Sequence, residues 1–302
     1  MAVIEADGLT KRYGSRTVLD RLSLAVEPGE VFGIVGPNGA GKTTAVELME
    51  GLRRPDAGSV RVLGLDPWTQ GAALRQRIGV QLQAAQLPER LKVAEALELY
   101  ASFYRAPRDW RELLQTWGLA EVRSSAFAKL SGGQRQRLLI ALALVGEPEV
   151  AFLDELTTGL DPNARRLAWD LVGRVRASGV TVVLVSHFMD EVEQLCDRVA
   201  LLDGGRLVAT GTPGELVERA GIGQRLRFRP LGPLDERSLA GLPGVTQVRR
   251  SGQQIEVAGT GGFAQAVAGW LALEHIVVAD LRLEGGNLDD AYVAITGRGP
   301  AA

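Results

Sequence analysis

A glycine-rich segment, GPNGAGKTT at residues 36–44, contains the strongest chemical signal in the sequence. It follows the apolar run VFGIVG and precedes a helical pattern that begins at Thr43. Glycines let backbone N–H groups wrap closely around a phosphate, and a helix N-terminus adds positive potential. In this G-x-x-x-x-G-K-[ST] pattern, Lys42 is expected to reach the β- and γ-phosphates and the Thr43 hydroxyl to bind Mg²⁺. The structural alternative is a glycine-rich turn before a helix. The predicted phosphate-binding residues are Gly36, Pro37, Asn38, Gly39, Ala40, Gly41, Lys42, Thr43 and Thr44.

Two adjacent carboxylates, Asp154 and Glu155, end a second apolar run, EVAFLDE. Carboxylates at the end of a buried strand are costly unless they bind something. Asp154 fits the Mg²⁺ shell, directly or through water, and Glu155 fits the base that polarises an attacking water. Taken alone, acids at a strand end are more often simply solvated. Next to a phosphate loop, hydrolysis of the bound phosphate becomes the favoured interpretation.

A third segment, LSGGQ at residues 130–134, opens a predicted helix. Ser131 and the two following glycines offer a hydroxyl and backbone N–H groups at a helix N-terminus, which is a second anion site. The structural alternative is that Ser131 is an ordinary N-cap. That alternative does not explain glycines inside the first turn, where they weaken a helix.

Alternating strands and helices surround these motifs and predict an α/β core with a parallel sheet. The strands EVAFLDE and VTVVLVSH are followed by helices after Pro162 and through MDEVEQLC, and RVALLDGGRLVATG reads as a hairpin. Between about residues 84 and 148 the pattern becomes helical, with apolar residues three to four apart in KVAEALELYASFYR and DWRELLQTWGL. We therefore expect a helical subdomain inserted into an α/β domain of residues 1–220.

Residues 221–302 form a predicted small α+β domain. The patterns indicate strands at 225–230, 244–250, 253–258 and 275–283, helices at 234–241 and 261–273, and a last helix at about 287–296. The order β-α-β-β-α-β is the split-βαβ, or ferredoxin-like, arrangement. The Asp289–Asp290 pair lies on the last helix, where adjacent side chains diverge, so we expect no metal site there.

Composition narrows the classes of partner. The net charge is −2, which provides no basic field for nucleic acid. Cys196 is the single cysteine, so no disulfide can form within the chain, as suits a reducing cytoplasm. No signal peptide is apparent at the N-terminus, and the most apolar stretch, Leu138 to Val145, is far shorter than the roughly 20 residues that cross a bilayer. A role at a membrane would therefore need another chain to span it.

The order GPNGAGKTT, Gln83, LSGGQ, LDE, GLD and Ser-His resembles the ATP-binding cassette of ABC transporters across about residues 1–220. LSGGQ separates this family from other phosphate-loop NTPases. The resemblance implies a homodimer arranged head to tail, with ATP at its interface and Mg²⁺ as cofactor. Lys42 of one protomer would then face the signature segment of the other. The residues implied to bind ATP across the dimer are Ser131, Gly132, Gly133, Gln134 and Asp161.

The same resemblance implies roles for three further residues. Gln83 fits a glutamine that touches Mg²⁺ and senses the membrane partner; Gln81 lies nearby, and the phase of the motif favours Gln83. His187 fits a switch histidine that contacts the γ-phosphate, and Tyr13 fits the aromatic residue that stacks on adenine. Without the family, these three would be a surface glutamine, a structural histidine and a packed tyrosine. Leu156 stands where the family usually has proline, which leaves the chemistry intact but predicts a less rigid backbone.

The ending GGNLDDAYVAITGR resembles the tail of the drug-resistance (daunorubicin-resistance-type) exporter ATPases. This resemblance implies a motor subunit at the cytoplasmic face of the cell membrane, which couples ATP hydrolysis to export through a separate transmembrane permease. One alternative is a soluble ABC-type ATPase without a transport role, which would need two cassettes in one chain or a long coiled-coil insertion. Another is a nucleotide-binding regulator, which would have no need of Glu155.

Overall fold

The computed structural model describes residues 1–81, 87–158, 160–221 and 223–297. The chain divides into two compact units, Met1–Pro213 and Gly214–Gly299. None of the helices in the described ranges is both long and apolar enough to cross a bilayer.

The first unit contains two sheets and the helices between their strands. Its strands are β1 (Ile4–Tyr13), β2 (Arg16–Val26), β3 (Val31–Val35), β4 (Ala57–Val62), β5 (Ile78–Gln81), β6 (Val150–Asp154), β7 (Thr181–Ser186), β8 (Arg198–Asp203) and β9 (Arg206–Gly211). Its helices are α1 (Lys42–Met49), α2 (Gly71–Leu74), α3 (Val93–Ala101), α4 (Trp110–Thr116), α5 (Gly132–Leu144), α6 (Pro162–Ala177) and α7 (Met189–Leu195).

The larger sheet has the order β5-β6-β7-β3-β8-β9. Its strands are parallel except for β9, which pairs with β8 in an antiparallel hairpin. Every residue of β3, β6 and β7 is buried, as expected for central parallel strands that are covered on both faces. Because β7 lies between β3 and β6, the carboxyl ends of these strands meet at one edge of the sheet, where open α/β sheets bind ligands.

The smaller sheet is antiparallel, with the order β2-β1-β4. Its apolar side chains, such as Leu9 and Leu19, form one continuous core with Val46 of α1 and with Phe32 and Phe152 of the larger sheet. This packing fixes α1, which follows the phosphate loop, between the two sheets.

Three helices, α3, α4 and α5, lie between β5 and β6 in the chain, where the sequence predicts the helical insertion. Each buries an apolar face, through Leu97, Leu113 and Ile140 respectively. Helix α5 contacts α3 and also β5 and β6 of the larger sheet. The signature segment at the start of α5 is therefore attached to the central sheet. Cys196, 8% exposed, packs against β3 of the same sheet, with its Sγ atom 2.9 Å from the position that a Cβ would occupy at Gly33.

The second unit contains α8 (Pro213–Arg219), β10 (Gln224–Pro230), α9 (Glu236–Ala240), β11 (Val245–Ser251), β12 (Gln254–Gly259), α10 (Phe263–Leu273), β13 (Val278–Glu284) and α11 (Leu288–Thr296). The four strands form an antiparallel sheet in the order β11-β12-β10-β13. Leu239 of α9 and Phe263 of α10 pack on Phe228 and Val257 of the sheet. Helix α11 buries Leu288, Ala291 and Tyr292.

The last strand of the second unit begins later than the sequence predicts, at Val278 instead of residue 275. The preceding residues still close helix α10: the N–H groups of His275 and Ile276 bond to the carbonyls of Ala272 and Leu271. His275 also has a φ of 54°, which is incompatible with a strand. The alternation of apolar residues continues through this turn, so periodicity alone misplaced the boundary.

Candidate nucleotide site

The phosphate loop connects β3 to α1 and encloses the side chain of Lys42. This side chain is 5% exposed, and its Nζ donates to the carbonyl oxygens of Gly36, at 2.7 Å, and Pro37, at 3.1 Å. Burial lowers the pKa of Lys42, while the charges of Glu155 and Asp154 oppose that change. The ammonium is therefore held inside the loop by acceptors that a bound phosphate can replace.

Two glycines of the loop are required by the local geometry. Gly41 has a φ of 99°, and a Cβ there would lie 2.8 Å from the carbonyl oxygen of Val18. At Gly36 a Cβ would overlap the carbonyl oxygen of Leu202. Gly41 is also the N-cap of α1 and provides no side-chain cap. The first N–H groups of this helix therefore remain available to an anion, as at other phosphate-binding helix N-termini.

An open pocket joins the loop to residues from other elements. It is lined by Tyr13 at the end of β1 and by Glu155 after β6. Tyr13 is 41% exposed, with Lys11 Nζ 5.7 Å and Arg53 Cζ 5.5 Å from its ring centroid. Of the predicted phosphate-loop residues, the same pocket brings together Asn38, Gly39, Gly41, Lys42, Thr43 and Thr44. Ala40 is buried behind them, and its carbonyl accepts a bond from the N–H of Gly205.

Asp154, the last residue of β6, has the properties expected of a Mg²⁺ ligand. It is 5% exposed, and the Thr43 side chain hydrogen-bonds to its carboxyl group. Its Oδ1 has no hydrogen-bond partner in the ranges that the structure describes. Burial raises the pKa of Asp154 to about 6, and the charge of Glu155 adds to this, while Lys42 and Thr43 act against it. Among the described residues, no three His, Cys, Asp or Glu side chains form a complete metal cluster. Mg²⁺ sites of one or two carboxylates completed by substrate phosphates fit this arrangement. Gln83, predicted as a further ligand, lies outside the described residues.

Glu155 adopts a left-handed backbone conformation, with a φ of 49°. Such conformations cost about 1–3 kcal/mol in non-glycine residues and cluster at functional sites. The Glu155 N–H donates to the carbonyl of Val185 at 2.9 Å, and Leu156 is 1% exposed. Leu156 therefore anchors the turn through its packing.

The carboxylate of Glu155 lies beside the predicted switch histidine. His187 follows β7, and its Nδ1 lies 3.3 Å from Glu155 Oε1, without the alignment of a hydrogen bond. Thr158 donates its hydroxyl to Glu155 Oε2 at 3.5 Å. Two neighbouring strands, β6 and β7, thus bring a carboxylate and an imidazole to the same edge of the phosphate loop.

Two residues near this site were not recognised in the sequence. Glu191 of α7 is fully buried and accepts bonds from the Ser186 hydroxyl, at 2.5 Å, and from Trp169 Nε1, at 3.3 Å. Ser186 in turn accepts a bond from the N–H of Phe188, so Glu191 fixes the turn that carries His187. Burial raises the pKa of Glu191 despite these hydrogen bonds. Nothing in MDEVEQ distinguishes Glu191 from its acidic neighbours. Arg16, which also lines the nucleotide pocket, resembled any exposed hairpin arginine.

The signature segment does not line the nucleotide pocket of its own chain. Ser131 is the N-cap of α5, and it exchanges capping-box bonds with Gln134: the Gln134 N–H donates to Ser131 Oγ, and the Ser131 N–H to Gln134 Oε1. Among the described residues, a Cβ at Gly133 would meet no atom within 4 Å, and one at Gly132 would meet Leu160 alone, at 3.7 Å. Capping within the chain therefore accounts for Ser131 but not for the glycines.

Asp161 also caps a helix. Its Oδ1 accepts bonds from the N–H groups of Asn163, at 2.9 Å, and Ala164, at 3.0 Å, and Pro162 occupies the first position of α6. This is a favourable arrangement for a helix start. Asp161 remains exposed at its outer side.

Comparison with known proteins agrees with this geometry. The sequence profile of the ABC transporter family matches residues 19–158. The chain is 39% identical to "Daunorubicin resistance ATP-binding protein DrrA3" of Streptomyces coeruleorubidus, over 97% of this chain and 96% of that protein. It is 33% identical to "Nod factor export ATP-binding protein I" of Rhizobium etli, over 99% of this chain and 94% of that protein. A solved "ATP binding subunit of ABC transporter" is similar with a TM-score of 0.66 and 28% identity, over 72% of this chain and 93% of that one.

Proposed function

This chain belongs to the ABC transporter family as an ATP-binding subunit of the exporter type, and from that premise we propose that two copies close head to tail around ATP and drive a separate membrane permease. The relatives named for daunorubicin resistance and for Nod factor export, which match nearly the whole chain, support export as the direction. The observation that carries the proposal is the pocket in which Lys42, Thr43 and Glu155 converge beside Asp154.

In the proposed reaction, each residue acts on one part of the bound ATP. Lys42 exchanges the carbonyls of Gly36 and Pro37 for β- and γ-phosphate oxygens. Glu155 orients and deprotonates the attacking water. His187, whose Nδ1 lies 3.3 Å from Glu155 Oε1, contacts the γ-phosphate. Tyr13 stacks on adenine. Thr43 and Asp154 would hold Mg²⁺, which neutralises charge on the phosphates when it is bound.

The dimer contact is proposed to use the signature segment. Ser131 and Gly132 are exposed, and the space around Gly133 is open, so a phosphate of a second copy can approach the N-terminus of α5 closely. Gln134 holds Ser131 in place through the capping box. Asp161, at the exposed start of α6, would link the two sites across the dimer. Packing within one chain does not require the glycines, which supports a contact between chains.

We place the permease contact in an apolar groove beside the edge strand β5. The groove is lined by Leu52, Ile78, Val80, Tyr100, Phe103 and Leu142, and we call it the β5 groove. Leu52 and Phe103 are 53% and 59% exposed, and the ring of Phe103 lies 5.7 Å from that of Tyr100. Exposed apolar clusters of this kind mark protein contacts. A permease bound there would hold the subunit at the cytoplasmic face of the membrane.

We propose that residues 1–220 are the cassette, with a helical subdomain at about 84–148, and that residues 221–302 are an accessory domain of the ferredoxin-like type. Its β-α-β-β-α-β order and its antiparallel sheet order, β11-β12-β10-β13, support that assignment. Every residue with a proposed chemical role precedes residue 190. The accessory domain is therefore proposed to steady the dimer or the permease contact.

The experiment that tests this function purifies the full chain together with the membrane protein encoded beside it and measures ATP hydrolysis. We expect a stable complex whose hydrolysis rises when a transported compound is added and disappears in the Glu155→Gln variant. A chain that hydrolyses ATP but is retained by no membrane protein would instead be a soluble ATPase.

A further inference from the structure

A buried carboxyl group, Glu50, lies in the wall of the β5 groove. It directly follows α1, and its N–H bonds to the carbonyl of Val46, so its position is set by the end of that helix. The residue is 3% exposed, and its Oε2 atom has no hydrogen-bond partner among the described residues. Leu52, Ile78 and Tyr104 line the same groove.

Glutamate is almost never fully buried unless it is paired. An unsatisfied buried acceptor costs stability, and most such groups in folded proteins have a partner. Burial raises the pKa of Glu50 to about 8, and the charges of Asp154 and Glu47 add to this effect. In the described part of the chain, the fold does not supply Glu50 with a compensating group.

The nearby cations do not compensate Glu50. Arg75 lines the same groove, but Glu50 Oε2 has no bond to it or to any other described residue. Arg53, three residues further along the chain, is bonded to Glu47 instead. Neither cation therefore offsets the burial of the carboxyl, which disfavours its charged form.

The groove thus has mostly apolar walls, with Arg75 and Gln76 also in its lining, and one hydrogen-bond acceptor that no described residue uses. A partner surface that fits this groove has an apolar side chain that packs on Phe103 and Tyr100. Beside that side chain it has a hydrogen-bond donor for Glu50. A neutral N–H suits this position better than a cation, because a cation would have to lose its water among the apolar walls. If the Glu50 carboxyl is protonated, its carbonyl oxygen can still accept a hydrogen bond from that N–H.

We propose that Glu50 determines specificity in the permease contact by accepting a hydrogen bond from a neutral N–H of the permease segment that enters the β5 groove, an inference that rests on the proposed function. The donor is a backbone or side-chain amide of a mostly apolar segment. Glu50 then exchanges an unsatisfied state in the free subunit for a paired state in the complex.

The test compares Glu50→Leu and Glu50→Gln in the full chain, with two measurements. In the isolated subunit, Glu50→Leu should raise the midpoint of thermal unfolding, because it removes an unsatisfied polar group from an apolar wall. In binding to the membrane protein encoded beside this chain, purified in detergent, Glu50→Leu should weaken affinity at least tenfold. Glu50→Gln, whose amide oxygen still accepts a hydrogen bond, should stay within about threefold of the wild type.

A Phe103→Asp variant separates failure of this inference from failure of the proposed function. If Phe103→Asp abolishes binding while Glu50→Leu binds like the wild type, the groove is the permease site and the role of Glu50 is refuted. If Glu50→Leu lowers the unfolding midpoint, Glu50 is a structural residue and the inference is also refuted. If Phe103→Asp binds like the wild type, the groove is not the permease site, and both proposals about it fail.

Discussion

Removing the charge of Asp154 should stabilise the nucleotide-free protein while abolishing its response to Mg²⁺-ATP. The pKa of this buried carboxyl is raised from 3.8 to about 6, so the folded chain holds the proton more tightly than the unfolded chain does. Folded stability therefore falls as the pH rises through this interval. At about 1.36 kcal/mol for each tenfold change in proton affinity, the full effect is about 3 kcal/mol. Screening by solvent at the open pocket reduces this, and we expect Asp154→Asn to gain about 1–2 kcal/mol at pH 8.

The measurement is urea unfolding of wild type and Asp154→Asn at pH 5 and pH 8, in EDTA and without nucleotide. The gain should be about half as large at pH 5, where the native carboxyl is mostly protonated. Asp170→Asn, which removes an exposed charge on α6, is the control and should change little at either pH. Adding Mg²⁺-ATP should stabilise the wild type, by about 2.7 kcal/mol at a hundredfold excess over Kd, but not Asp154→Asn. A variant that is less stable at pH 8, or equally shifted at both pH values, would refute the argument.

Three further predictions concern hydrolysis and assembly. Glu155→Gln should keep ATP binding, slow hydrolysis by about 10²–10⁴ and accumulate as an ATP-bound dimer; steady-state hydrolysis within a few-fold of wild type would argue against the base. Ser131→Arg should abolish hydrolysis but not ATP binding by the monomer, and mixing it with Lys42→Ala should restore part of the activity, since one composite site is then intact; loss of monomer affinity would contradict a shared site. A truncation ending at Ala220 should bind ATP nearly normally but dimerise or transport less well, and unchanged dimerisation and transport would make the accessory domain a passive appendage.

The phosphate loop could be located from sequence because all of its determinants are local. An apolar strand, a glycine turn and a helix start within twelve residues define where Lys42 and Thr43 lie. Asp154 and Glu155 could be added because parallel strands bring their carboxyl ends to one edge of a sheet. The strand–helix alternation likewise predicted the α/β core and the helical insertion before β6.

Other features depend on tertiary packing and could not be read from the pattern. The left-handed backbone of Glu155 is held by the bond to Val185 and by the packing of Leu156. Val185 is distant in sequence, and a sequence motif does not reveal how deeply Leu156 is buried. The burial of Glu191 and Glu50 likewise depends on which helix end meets which sheet. Carboxylates in charged or mixed segments are usually solvated, so sequence alone assigns them to the surface.

The single thiol of this chain makes it a convenient host for spectroscopic reporters. Burial raises the pKa of Cys196, and the thiolate is the form that reacts, so maleimides and methanethiosulfonates should leave the wild type unmodified. No cysteine-free background has to be prepared. Gly173 on α6 is exposed, and a new side chain there would meet none of the described residues within 4 Å. A nitroxide attached at Gly173→Cys, outside the proposed nucleotide and dimer contacts, would therefore report, by electron paramagnetic resonance distance measurement, how far apart two subunits are in each nucleotide state.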